Sequence, residues 1–279
     1  SGHWGNLGRR NTNAGTVQQF LKMRARIPTM IETLIETPGE ECLLEDYCVK
    51  SGISCIEWGS DVHVPENDLE KAEKVRRASA EAGIRICSYG SYYKIGENEN
   101  GVDAFLPYLE AAVALGAPII RLWAGKVGSQ AATQEYYERA VKETRLLCDL
   151  AAEWGITLAT EFHINTLTDN ADSAIRFYRD VNRENFGLYY QYSVLYSFED
   201  NIVTLEKMLP YVRMIHVFYN EVRFVRMSLE EGRGIEFWTR IINLLREQSV
   251  KINLLFEFLK DSSLEGLQKE AEIMRKLFG

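Results

Sequence analysis

One pattern repeats from residue 27 to the C-terminus: a short apolar run, then an amphipathic stretch at helical spacing, about every 25–40 residues. The apolar runs predict strands at 27–34, 53–58, 84–89, 118–123, 156–161, 186–190, 212–217 and 252–258. Helices are expected after them at about 41–51, 67–82, 102–115, 131–154, 171–182, 200–209, 236–247 and 263–277. The strands are almost wholly apolar, as parallel sheets covered on both faces require. Gly83, Gly116 and Gly155 stop three of the helices. In the longest helix Tyr137, Val141, Thr144, Cys148, Ala151 and Trp154 fall on one stripe. No linker or shift of composition interrupts the repeat. Eight units in 279 residues therefore predict an α/β fold, a single-domain (β/α)8 TIM barrel over 27–279. An open doubly wound sheet is the competing architecture.

Residues 1–26 stand outside the pattern. They are rich in Gly, Asn and Arg, and no acid precedes Glu32. They read as an irregular N-terminal arm, an expression-derived remnant, or a targeting segment of transit-peptide composition. No apolar run approaches the ~18 residues of a membrane span. The five cysteines, Cys42, Cys48, Cys55, Cys87 and Cys148, form no C-x-x-C pair. They read as reduced thiols of a cytoplasmic protein. A net charge of −8 argues against nucleic acid as a partner, which would need a basic face. Neither a phosphate-binding G-x-x-x-x-G-K-[ST] nor a G-x-G-x-x-G after a strand is present.

In a barrel of this kind chemistry sits at the C-terminal ends of the strands. The most informative stretch is 155–170, GITLATEFHINTLTDN, where an apolar strand ends in Glu161 and is followed by His163. Alternation puts Thr157, Ala159 and Glu161 on one face, with small residues below the carboxylate. Three later strands also end in a coordinating side chain: Gln191, His216 and Glu257. Alone, each Glu could be a salt-bridge partner and the His a hydrogen-bonded core residue. Together they read as one site for a divalent metal ion, Mn2+, Mg2+, Co2+ or Zn2+. Glu57, Trp58, His63, Tyr89, Tyr92, Arg121, Trp123 and His163 are the substrate-binding candidates. The aromatic ones could stack on a sugar or pack at the barrel mouth. Arg121 could neutralise the acids or hold a substrate phosphate or carboxylate, and His63 could be a solvated loop residue.

These residues resemble the xylose isomerase-like barrel superfamily, and within it the sugar phosphate isomerase/epimerase proteins. The segments that carry the likeness are IEWGSDVHVP at 56–65, SYGSYY at 88–93, RLWAG at 121–125, Glu161-Phe162-His163, Tyr190-Gln191, Ile215-His216 and Leu255-Phe256-Glu257. The resemblance implies metal ligands at Glu161, His216 and Glu257, and places Gln191 where the family usually has Asp. An amide there coordinates without charge, so metal affinity is expected to drop. The resemblance also implies Glu161 and Glu257 as the catalytic acid/base pair of a sugar or sugar phosphate isomerase or epimerase, moving a proton through a cis-enediolate. A lyase or dehydratase on a keto-sugar or keto-inositol, and a non-catalytic sugar-binding relative, are the alternatives. A small carbohydrate is the expected partner, with a homo-oligomer a further expectation.

Overall fold

The structure, a computed structural model, describes residues 48, 50–61, 63–261 and 263–279. The arm at 1–26, the strand expected at 27–34 and nearly all of the helix expected at 41–51 lie outside the described residues.

Seven parallel strands follow one another: β1 Cys55–Gly59, β2 Arg85–Lys94, β3 Ile119–Trp123, β4 Thr157–Glu161, β5 Phe186–Tyr190, β6 Val212–Val217 and β7 Asn253–Phe256. The helices between and after them are α1 Leu69–Glu81, α2 Leu106–Leu115, α3 Gln134–Ala152, α4 Ala171–Val181, α5 Phe198–Met208, α6 Gly234–Glu247 and α7 Leu264–Phe278. Spatial order equals chain order throughout the sheet. A doubly wound sheet reverses its order at a switch point; here no reversal occurs. The sheet also curls back on itself, since Arg85 Nη2 at the start of β2 donates to Asn253 Oδ1 at the start of β7, 2.9 Å away. The described residues thus form a nearly closed barrel of the TIM type.

Local chemistry explains where the elements begin. Asp68, Thr133, Asn170, Ser197 and Ser263 each accept a hydrogen bond from a backbone N–H of the first helical turn, satisfying donors that have no intrahelical partner. The stripe on α3 is buried at Tyr137, Val141, Thr144, Cys148 and Ala151. Trp154 departs from it and is 60% exposed. The helix ends at Ala152, and the chain turns through Gly155 at φ +67°, which carries Trp154 off the packed face.

The strand β2 runs five residues beyond the expected end, because Lys94 still pairs with Trp123 across a register slip after Gly90. Cys48, Cys87 and Cys148 are buried, Cys55 is half-buried, and all four are free thiols. Among the described residues no helix is long and apolar enough to cross a membrane.

Candidate metal centre and substrate pocket

Four successive strands deliver the polar cluster. Glu161 is the last residue of β4, and His216 lies on β6. Gln191 and Glu257 are the first residues past β5 and β7. All four are buried. Ligand atoms of Glu161, His216 and Glu257 lie within 4.8 Å of one another. His216 Nδ1 is 2.6 Å from Glu257 Oε2 and 3.9 Å from Glu161 Oε1. Gln191 Oε1 lies 3.1 Å from the same nitrogen.

The cluster fits a cation. Glu161 Oε2 and Glu257 Oε1 are buried and accept no hydrogen bond, while Glu257 Oε2, also buried, faces the His216 imidazole at 2.6 Å. A buried carboxylate without donors is costly, and a divalent ion removes that cost. Two carboxylates, an imidazole and an amide oxygen form a hard-to-borderline donor set suited to Mg2+ or Mn2+. Burial, against the pull of Arg121 and with the repulsion of Glu257 added, raises the Glu161 carboxyl to about 7. Burial also works against a charged His216, but the Glu257 carboxylate outweighs it and the imidazole pKa is raised.

Beneath the cluster lies a second charged layer. Glu57 on β1 accepts from Arg121 Nη1 at 2.6 Å, from Ser88 Oγ at 2.7 Å and from Tyr189 OH at 2.9 Å. Burial alone would raise the Glu57 pKa, but Arg121, His216 and the two hydroxyls lower it. The Arg121 guanidinium also reaches up, with Nε 3.6 Å from Glu161 Oε2. Gly90 makes the layer possible. A Cβ there would stand 2.9 Å from Glu57 Oε1 and 3.0 Å from Arg121 Nη2.

Next to the cluster, and lined by its Gln191 but not by Glu161, His216 or Glu257, opens a cavity of about 410 Å³, the size of a small-molecule site. Trp123, Phe162, His163, Gln191, Phe218 and Phe258 line its inner part. His163 stacks on Trp123, ring centroids 4.9 Å apart and 25° from parallel. Burial pushes the His163 pKa down to about 4, so the imidazole is neutral near pH 7.

Of the substrate-binding candidates, Trp123 and His163 line this cavity, and Tyr92 lies beside Trp123 at 6.2 Å between ring centroids. The Tyr92 hydroxyl donates to Asp61. Glu57 and Arg121 are fully buried in the layer below. Trp58 and Tyr89 are also fully buried, donating to Ser79 Oγ and the Val64 carbonyl respectively. His63 is buried 5.2 Å from the Trp58 ring. Sequence reasoning did not single out Ser88 and Tyr189 as partners of Glu57, nor Arg226, Phe218 and Phe258 as cavity walls. The first two lie on strands whose apolar pattern hides a hydroxyl. Arg226 lies in an irregular connection that offers no periodic signal.

The described strands thus form a parallel barrel of the TIM type whose C-terminal mouth holds a buried Glu–His–Glu cluster beside an aromatic cavity. The sequence profile of the xylose isomerase-like TIM barrel family matches residues 46–277, and the chain belongs to that family. It is 26% identical over 98 residues to a 3-dehydroshikimate dehydratase of Bacillus anthracis, a match spanning 35% of each chain. Among solved structures, the probable 3-dehydroshikimate dehydratase AsbF of Bacillus anthracis superposes with a TM-score of 0.66 at 17% identity, covering 83% of this chain and 92% of that one. A xylose isomerase-like TIM barrel protein of Mycobacterium smegmatis, in complex with magnesium, gives 0.67 at 21% identity and covers 86% and 89%. A D-psicose 3-epimerase crystallised with D-fructose gives 0.62 at 18% identity and covers 85% and 93%. At these identities the structural likeness is one of fold.

Proposed function

We propose that the protein is a divalent-metal-dependent enzyme that moves a proton at a carbon next to a carbonyl in a polyhydroxylated substrate, as sugar isomerases and epimerases do. The observation that carries this reading is the pair of buried carboxylates, Glu161 and Glu257, whose ligand atoms converge with that of His216 next to the aromatic cavity that Gln191 lines. Glu161, Gln191, His216 and Glu257 would hold the ion. When bound, the ion supplies Lewis acidity, polarising the substrate carbonyl and making the neighbouring C–H more acidic.

The residues of the chain do the rest. Glu161 or Glu257 takes the proton from carbon, and the other carboxyl returns one at the adjacent carbon or the opposite face. Arg121 holds Glu161 from below and favours its charged form. Trp123 and Phe258 offer faces to the C–H side of the substrate. Neutral His163 donates through Nδ1 to the Ile164 carbonyl, which leaves Nε2 to accept a hydrogen bond from a hydroxyl without adding charge.

The test is a panel of keto-sugars and sugar phosphates incubated with Mg2+ or Mn2+ in deuterium oxide. Deuterium should enter the carbon beside the carbonyl, and Glu161→Gln and Glu257→Gln should each abolish this exchange. Full exchange in either variant would overturn the assignment.

A second reading is favoured by the match to a dehydratase. The same base could remove the proton while a β-hydroxyl leaves as water. Loss of water from 3-dehydroshikimate, with no aldose–ketose interconversion in the panel, would select it.

A further inference from the structure

The cavity wall carries an excess of positive charge. Lys94, Lys126, Arg223 and Arg226 line it, and Asp169 is the only carboxylate among the described residues that does so. Asp169 is already engaged, accepting from Ser129 N at 3.0 Å and Ser129 Oγ at 2.5 Å. Lys126 is engaged too, 3.0 Å from Glu97. In a chain of net charge −8, a cationic cavity runs against the average.

Arg226 is the member without a local explanation. It lies between β6 and α6, half-buried, with its guanidinium 5.4 Å from the centre of the Phe258 ring. Its Nη1 is buried and has no hydrogen-bond partner. Among the described residues it forms no salt bridge. Burial pushes its pKa down, and only the attraction of Glu257 works against that. A half-buried guanidinium with a donor nitrogen left without an acceptor is costly, and a planar donor fork of this kind matches a carboxylate or phosphate.

The balance of charge beneath points the same way. A divalent ion would neutralise Glu161 and Glu257, and Arg121 neutralises Glu57. The acids of the floor are then accounted for, and the Arg226 guanidinium is left to meet an anion from solution. The aromatic faces of Trp123 and Phe258 suit the carbon frame between the two ends of such a molecule.

We propose that the substrate of this site carries an anionic oxygen group, a carboxylate or a phosphate, which Arg226 receives at the mouth while the reacting carbons lie over Glu161, His216 and Glu257. The proposal rests on the metal-dependent reading of the same site and narrows its substrate class.

The test uses the Mg2+-loaded protein and two neutral–anionic pairs: D-fructose with D-fructose 6-phosphate, and shikimate methyl ester with shikimate. Dissociation constants are read by calorimetry or ligand-observed NMR. In at least one pair the anion should bind about tenfold or more tightly than its neutral twin, as a charge-assisted bidentate contact requires. The pair that discriminates decides between phosphate and carboxylate. Arg226→Met should reduce the preference to less than about twofold, with Mg2+ and the neutral ligands still bound. Arg226→Lys, which keeps the charge but not the fork, should retain part of it and serves should the Met variant fail to fold.

No preference in either pair, or a preference that survives Arg226→Met, would overturn the proposal. Mg2+ binding without charge discrimination would sink this inference alone. Discrimination by a protein that binds no divalent ion would instead sink the metal-dependent reading.

Discussion

Gln191 sets the charge of the cluster. Its amide oxygen stands 3.1 Å from His216 Nδ1, where the resemblance to isomerases leads one to expect a carboxylate. Affinity of oxygen-ligand sites for hard cations rises with the number of charged ligands. Gln191→Asp should therefore bind Mg2+ about tenfold or more tightly by calorimetry; an unchanged constant would show that the residue is no ligand. Protons compete for the same place. In the metal-free protein Glu161 is held up at about 7. Between the ordinary carboxylate value and 7 the folded chain thus keeps a proton that the unfolded chain has lost. The metal-free fold loses stability as pH rises through that window, and metal binding there releases a proton. Mg2+ affinity should rise about tenfold or more per pH unit below 7, since His216, its pKa raised as well, must also give up its proton to coordinate. His163 has the opposite sign. Its pKa is depressed to about 4, so its contribution is fully present above the unfolded value near 6.5 and is lost as pH falls through 4. The four side chains of the cluster were legible in the sequence because each ends an apolar run. Arg226 was not, because nothing in residues 218–233 marks which side chain turns inward.

At the scale of elements, the seven strands among the described residues fell within about one or two residues of their expected bounds, except where pairing rather than hydrophobicity decides the end. On β2 the partner strand carries the ladder on to Lys94, and no apolar pattern announces this. The same limit hid the role of Glu57 and Arg121. Their positions at strand ends suggested substrate contacts, but two side chains 64 residues apart show no mutual signal in sequence. The structure buries them as a pair joining β1 to β3, with Ser88 of β2 and Tyr189 of β5 as further donors. Breaking one side leaves the other charge buried and alone. Arg121→Met should cost about 3–5 kcal/mol in urea denaturation. Gly90→Ala, which puts a methyl group against the same pair, should also destabilise the fold, by about 1–3 kcal/mol. Denaturation midpoints unchanged in both variants would show the layer to be dispensable.

At the scale of the whole molecule, the expectation of a barrel rested on counting units, and seven of the eight expected strands lie within the described residues. The donors do not surround the barrel evenly. They close β4, β5, β6 and β7 in succession, while β1, β2 and β3 contribute none. A bound cation would act as a clasp on one arc of the rim. Saturating Mg2+, at about 100 times its dissociation constant, should stabilise the fold by about 2.7 kcal/mol. Hydrogen exchange after chelation should show the gain as uneven: faster exchange of backbone amides along β4 to β7, and little change along β1 to β3. The molecule would then be built of a half that is rigid by its packing and a half that tightens when the ion arrives.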